Sequence, residues 1–540
     1  MAHTFVRLAD RRWVRDGSLS ALGHAFHEGR LCDAAALCEY LAGLDGAADF
    51  EERIRKLNGF FAIVCETKAG VFAAVDRLRS IPLFFRREND WVSISDCAGF
   101  LASGCGATPQ NVISRAEFRL TGFVTGQGTL SCVLQLRAGE ILVAEETKAG
   151  VAVTTRRYFR FCQGQTVEAN QDQLRGQLED VVSRCTRRLI ERAAGNTILL
   201  PLSGGWDSRL IASMLRKHDY DNVLCFSYGR PGNRESNISR HVAATLGLPW
   251  AMVPYTEGSW RKWFHSDHSK AYAAYSHNLV SVPHYQDWPA IWDLSARGLI
   301  PRGSLVSPGH LGDFAAGSHV PPLLWGGRKF ARRDIIRLLY QRHYNLWPTR
   351  AGELKAELFQ RIDSSLCAGD NFTRDTAASA VDEWDWEERQ AKFIVNSVRV
   401  YEFWGVDWWM PFADAEFLDF WTTVPLRWRV RQRLYVPYVK QLYAQVAGVS
   451  LREASQRDGP TLQRQAVDVA MLLGCFALAK RAYSMSGARL SRARMKRTAY
   501  GKDPMAWYGA IDAAIFRREY TGLETFHSFV ARYVLNELTF

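Results

Sequence analysis

Apolar residues in the first 160 positions fall in short runs split by turn residues. "NGFFAIVCETKAGVFAAVD" (58–76) breaks at Lys-Ala-Gly and "IPLFFRRENDWVSISD" (81–96) at Glu-Asn-Asp, the pattern of hairpin strands. Residues 114–160 continue this way, so residues 1–165 are expected to form one sheet-rich domain. At 170–195 the period lengthens. Leu174, Leu178, Val181, Val182, Cys185 and Leu189 share one face of a predicted helix. Beyond it strand and helix alternate: "TILLPLS", "DSRLIASMLRKH", "NVLCFSYG", "SNISRHVAATLG" and "PWAMVPY". Such alternation predicts a parallel sheet covered by helices on both faces. From about 320 onward the chain reads mostly helical, rich in Trp and Arg, without internal repeats.

A parallel sheet binds ligands at the carboxyl ends of its strands, and "PLSGGWDSRL" (201–210) lies at such an edge. Gly204 and Gly205 let the backbone turn its N–H groups toward an anion, and the following helix adds the positive end of its dipole. Ser203 and Ser208 offer hydroxyl donors. Asp207 would repel a bare phosphate and reads better as a magnesium ligand. The plain alternative is a tight turn with Asp207 as helix cap. The loop lacks the Lys of a Walker loop and the three-glycine spacing of a dinucleotide fold.

Composition adds a local feature. The net charge is +12, and between Lys480 and Lys502 eight basic side chains occur without an acid. With the apolar run "VAMLLGCFALA" (469–479), this segment suggests peripheral contact with an acidic membrane surface through 469–502, or else a core helix followed by a solvated face. Eleven scattered cysteines without metal spacing suggest reduced thiols and argue against zinc. "MAHTFVRLADRRW" has no signal-peptide core and the longest apolar run is too short for a bilayer, so a cytoplasmic location is expected.

SGGxDS resembles the pyrophosphate loop of the ATP pyrophosphatases, and further segments are similar to the class B asparagine synthetases and their relatives. These are "LNGFFAIV" (57–64), "DRLRSIPLFF" (76–85), "ISD" (94–96), "PGHLGD" (308–313) and "WGVDWWMPFADAEFLDF" (404–420). The resemblance spans about residues 57–440. It implies an α/β chain: a degenerate N-terminal-nucleophile amidotransferase-like sheet domain (1–165), a parallel-sheet PP-loop synthetase domain of the adenine nucleotide α-hydrolase type (170–450), and a helical, basic C-terminal part (451–540).

It also implies chemistry. Mg-ATP binds at the loop, a carboxylate attacks the α-phosphate, and an amine then forms an amide from the acyl-adenylate. By position, Ser203, Gly204, Gly205 and Ser208 would hold pyrophosphate, while Asp207 and Asp313 would hold Mg2+. Leu202 and Tyr228 would frame adenine, and Pro308 and Gly309 would touch the nucleotide. His310 stands where asparagine synthetases carry Glu, as in lasso-peptide cyclases and polysaccharide-cluster homologues, and could serve as base for the amine. The family's lysine aligns with Val436, with Arg433 and Lys440 nearby as substitutes.

Departures from the family set the expected product. Ala2 stands where the glutaminase needs Cys, and the glutamine-binding motifs are missing; "GHAFHEG" (23–29) occupies one of those regions. Trp409 replaces an Arg, which puts aspartate recognition in doubt. His277, His284, Tyr285 and Asp287 precede the second ATP motif and either line the acceptor pocket or are ordinary polar positions. The leading expectation is an AMP-forming ligase without glutaminase activity, acting on a small carboxylate, sugar acid or peptide plus an amine. The alternatives are a non-catalytic ATP-binding scaffold, or asparagine synthesis from another amine donor. RNA binding through the basic tail ranks last, because about 200 residues precede the loop.

Overall fold

A computed structural model describes residues 3–455 and 503–538, apart from 69, 89–90, 104, 107–108, 148–149, 327–328, 348–353, 368 and 522–523. The apolar run 469–479 and the basic stretch between Lys480 and Lys502 lie outside these described residues. The architecture is mixed α/β.

Two sheets form from the N-terminal third. The seven-stranded sheet runs in the order Gly150–Arg157, Glu140–Thr147, Gly70–Val75, Asn58–Thr67, Leu19–His27 and Val14–Asp16, with Arg30–Cys32 also paired to Leu19–His27. The four-stranded sheet is ordered His3–Arg7, Trp91–Ser95, Phe84–Glu88, Leu134–Gln135. Strand Asn58–Thr67 shows why the first is buried on both faces. Ala62 and Val64 join Phe85, Val92 and Ile94 of the second sheet in one core. Phe61, Ile63 and Cys65, one residue out of phase, pack with residues of helices Ala34–Tyr40 and Gly46–Arg55. The hairpins read from sequence at 58–75, 84–95 and 140–157 form antiparallel pairs.

Helix Gln171–Ala193 opens with a capping box, Asn170 with Gln173. The parallel sheet that follows has the order Trp250–Pro254, Val223–Gly229, Ile198–Pro201, Leu305–Val306, Asp407–Trp408. Its last two strands are only two residues long and paired in parallel. Residues 503–538 fold back onto this body: the Trp260 indole donates to the Met505 carbonyl (2.7 Å), and the Trp347 indole donates to the Ser528 carbonyl (2.7 Å).

One correction concerns the cysteines. Cys105 and Cys132 form a disulfide with Cα atoms 6.0 Å apart, so the expectation of reduced thiols throughout fails for this pair. Folding brings the two positions within bonding range, which their spacing of 27 residues does not announce. No helix among the described residues is long and apolar enough to cross a membrane.

The N-terminal sheets and the body built on the parallel sheet meet at buried charges. Trp386–Ile394 is wound as a π-helix. Within it Lys392 and Glu388, both fully buried, pair at 2.5 Å. The Lys392 ammonium also donates to the carbonyls of Val124 (2.8 Å) and Gly126 (2.7 Å), and the Gly126 N–H donates to Glu388 at 2.9 Å. Glu387 pairs with Arg157 at 2.7 Å and reaches Arg137 at 3.5 Å. The Trp386 indole donates to the Arg77 carbonyl at 3.1 Å. Removing one member of such a pair strands its partner in a medium that solvates charge poorly. Lys392→Ala should therefore destabilise the protein by about 3–5 kcal/mol in urea unfolding, while Lys56→Ala, whose Glu52 partner is exposed, should leave the unfolding midpoint nearly unchanged.

Candidate active-site cleft

Strand Ile198–Pro201 ends at residues 203–208, and helix Asp207–Lys217 begins inside that stretch. The loop braces itself. The Ser203 and Ser208 hydroxyls lie 3.1 Å apart, the Ser203 N–H donates to the Ser208 hydroxyl (3.1 Å), and the Gly205 N–H donates to the Ser203 hydroxyl (3.0 Å).

The second loop, residues 308–313, follows strand Leu305–Val306, the neighbour of Ile198–Pro201 in the sheet. Its glycines let it approach the first. A Cβ on Gly309 would stand 2.8 Å from the Ser208 nitrogen, and one on Gly312 would stand 2.8 Å from the Tyr435 hydroxyl and 2.9 Å from Asp207 Cγ. At this separation the Asp313 N–H donates to Asp207 Oδ2 (3.0 Å) and the Tyr435 hydroxyl donates to Oδ1 (2.8 Å). Burial first, then the Asp207 charge, push the Tyr435 phenol well above its ordinary range, so it stays a donor. Asp313 Oδ2 accepts from the Ser318 hydroxyl at 2.8 Å.

Both loops line a cleft of about 1360 Å3, larger than one small ligand needs. Ser203, Gly204, Gly205, Asp207, Ser208, Tyr228, Pro308, Gly309, His310 and Asp313 all border it, together with Lys440. Leu202 does not line it; its side chain is buried in the core, and its N–H donates to the Phe226 carbonyl at 2.9 Å. Arg433 is exposed and is not among the lining residues. Val436 and Lys440 lie one turn apart on helix Tyr435–Ala447 and both face the cleft, with the Lys440 ammonium 5.3 Å from the Trp206 ring centre.

Of the four polar residues before the second loop, His284 and Asp287 line the cleft. Asp287 accepts hydroxyl hydrogen bonds from Tyr228 and Tyr401, each 2.5 Å. Tyr285 is buried among aromatic rings, and His277 accepts the Leu279 N–H at 3.0 Å, away from the cleft. Trp409 is buried against Phe26 and Phe60 of the N-terminal sheet. The His310 Nε2 and the Ser397 hydroxyl are 2.8 Å apart. Burial lowers its pKa, opposed by the charges of Asp287 and Asp313, so the neutral imidazole prevails near pH 7. Burial, then His310 and Arg389, push His284 down to about 3.

Arg389, Gln390, His319, Arg431 and Gln432 also line the cleft; the motifs seen in the sequence do not cover them. Arg431 and Gln432 carry left-handed φ values of 55° and 54°, a strained pair that turns the Arg431 guanidinium over the Trp325 ring at 4.3 Å.

Asp207 and Asp313 suit magnesium on their donor chemistry. Asp207 presents carboxylate oxygens beside the loop, and magnesium takes one or two carboxylates beside phosphate oxygens and water. No group of three metal-ligating side chains occurs among the described residues.

Residues 173–261 match the asparagine synthase family model. The match supports an asparagine synthase-like, ATP-dependent amide-forming ligase, a family that generally uses ATP and Mg2+. This asparagine synthase-like segment carries the first loop and Tyr228, while the second loop and Lys440 lie beyond it. No curated protein matches the chain.

Two outcomes follow from this geometry. Gly312→Ala should weaken Mg-ATP binding roughly tenfold, about 1.4 kcal/mol, by calorimetry, with near-unchanged circular dichroism. The second concerns His284. Its folded pKa of about 3 lies below the unfolded value of 6.5, so the unfolded chain binds the proton first as pH falls. The fold loses stability from pH 6.5 downward, by about 2 kcal/mol at pH 5 for this one group. In urea unfolding, His284→Phe should reduce the pH 7-to-5 decline by about that amount.

Proposed function

We propose that the chain is an AMP- and pyrophosphate-forming ligase that activates a carboxylate as acyl-adenylate and forms an amide without hydrolysing glutamine. One observation carries the reading: the Asp207 carboxylate and the Asp313 backbone, from neighbouring strand ends, meet at 3.0 Å over an anion-accepting loop. The N–H groups and hydroxyls of residues 203–208 would bind the pyrophosphate part of ATP. Asp207 and Asp313 would hold magnesium, which when bound neutralises charge growing on the leaving group. A carboxylate oxygen attacks the α-phosphorus and pyrophosphate departs. The amine nitrogen then attacks the acyl carbon, AMP departs, and the amine proton passes to neutral His310. Lys440, over Trp206 beside the loop, would supply the positive charge that Val436 does not.

Absence of glutaminase activity rests on the missing glutamine-binding motifs. The acceptor proposed is a small carboxylate, sugar acid or peptide. A nucleotide-binding scaffold is the second reading, favoured by Val436 at the position aligned with the family's lysine.

The test is exchange of labelled pyrophosphate into ATP across a panel of carboxylic acids. Exchange should occur with the cognate acid and fall roughly a thousandfold, about 4 kcal/mol, in Asp207→Ala. Undiminished exchange in that variant would sink the assignment. Mg-ATP binding with no exchange for any acid would favour the scaffold.

A further inference from the structure

A second cavity, of about 300 Å3, lies between the seven-stranded N-terminal sheet and the amino end of the parallel sheet. It shares no lining residue with the cleft of residues 203–208 and 308–313. Asp407 marks its place: that residue sits level with Leu305 and Ile198, the first residues of their strands. One wall is aromatic. The Phe60 ring centre is 4.9 Å from that of Trp408 and 4.8 Å from that of Trp409. Strand Leu19–His27 and the start of helix Ala34–Tyr40 supply much of the rest. Gly23 interrupts that strand with a φ of 106°, and a Cβ there would stand 2.1 Å from the Phe60 carbonyl oxygen. Any other residue would push the two strands apart at the cavity's edge, and glycine inside a strand marks such close approaches.

The charged groups around this cavity are already committed. Arg12 pairs with Asp10 at 2.5 Å and Arg192 with Asp407 at 2.8 Å. Glu402 accepts from the Tyr275 hydroxyl at 2.9 Å and the Trp408 indole at 3.1 Å. Asp33 caps its helix by accepting the Ala36 N–H at 2.9 Å. His24 differs. It borders the cavity, and among the described residues its ring makes no hydrogen bond or ion pair. Burial, then the Arg192 charge, push its pKa down to about 4 against the pull of Asp407 and Asp33. It is therefore neutral at pH 7, with one N–H to donate and one lone pair to accept. Charges that are already paired offer little to a charged ligand, whose desolvation would go uncompensated. Rings and one neutral polar group suit a flat, uncharged molecule held by ring contact and a hydrogen bond. A cavity of roughly 150 Å3 admits benzene, so this one has room for a phenol or a fused two-ring system.

We propose that this cavity binds an uncharged aromatic molecule of the phenol or indole class, set against Phe60, Trp408 and Trp409 and hydrogen-bonded to His24. The site lies outside the ligase reading above and does not depend on it. His24 and Phe60 belong to the N-terminal sheet, Trp408 and Trp409 to the body built on the parallel sheet, so a bound ring touches both.

The test uses the full chain and calorimetry with phenol and indole as probes. At least one should bind with a Kd below about 1 mM, and Mg-ATP should leave that affinity unchanged. Cyclohexanol, which lacks a ring face, and benzoate, which carries a charge, should bind at least about tenfold more weakly. Ala35 is exposed beside the cavity, so Ala35→Trp should fill the opening and abolish ring binding without lowering the thermal midpoint. His24→Leu should weaken binding roughly tenfold, and His24→Gln should keep most of it, since an amide also offers a donor and an acceptor. No binding by either ring, or equal binding by cyclohexanol or benzoate, would overturn the proposal. Displacement by Mg-ATP would place the ring in the larger cleft and also overturn it. So would L-glutamine binding more tightly than either ring, which would make this an amino-acid site. Ring binding that survives in a folded Ala35→Trp lies elsewhere and has the same consequence. Should Ala35→Trp lower the midpoint, His24→Leu decides alone, and unchanged ring affinity in it overturns the site.

Discussion

The Asp207 carboxylate is where three parts of the chain converge, and the geometry of the cleft depends on that convergence. Its own helix starts at the end of a central strand, the next strand contributes the Asp313 N–H, and helix Tyr435–Ala447 contributes the Tyr435 hydroxyl. The contacts exist because Gly309 and Gly312 leave space that any Cβ would fill. A loop held this way would bind an anion and a metal with little reordering, so that less interaction energy would be lost to fixing side chains.

The far wall is held by different means. Glu387, Glu388 and Lys392 are buried charges, and burying them is unfavourable unless each finds a partner. The partners come from residues 124–157. Hydrophobic contact alone would hold the sheets against the body but would not fix the rotation of a π-helix. Directional pairs at both flanks of Arg389 do so. This gives the N-terminal sheets a structural use.

Much of this was legible in the sequence, for identifiable reasons. Short apolar runs split by turn residues around 58–75 and 140–157, and the helical face of Leu174, Leu178 and Val182, each persist over many residues. The glycines and aspartates of residues 203–208 and 308–313 stood out because their residue types serve one chemistry. Strands Leu305–Val306 and Asp407–Trp408 carry too few residues to show a period. Helix phase would have separated Lys440 from Arg433: Val436 and Lys440 are four apart and share a face, whereas Arg433 precedes the helix and points to solvent. Arg389 had no such signal, because the π-helical winding shifts the phase on which a reading of "WDWEERQAKF" would rely. The Cys105–Cys132 pair depends on tertiary proximity.

The charges of the cleft constrain what it can hold. Asp207 and Asp313 suit a cation, and Asp287 is occupied by two tyrosine hydroxyls. Lys440 and Arg431 lie over aromatic rings, an arrangement that leaves their charge free to meet phosphate oxygens. The charge of Mg-ATP would therefore lie between the two carboxylates on one side and these ring-backed cations on the other.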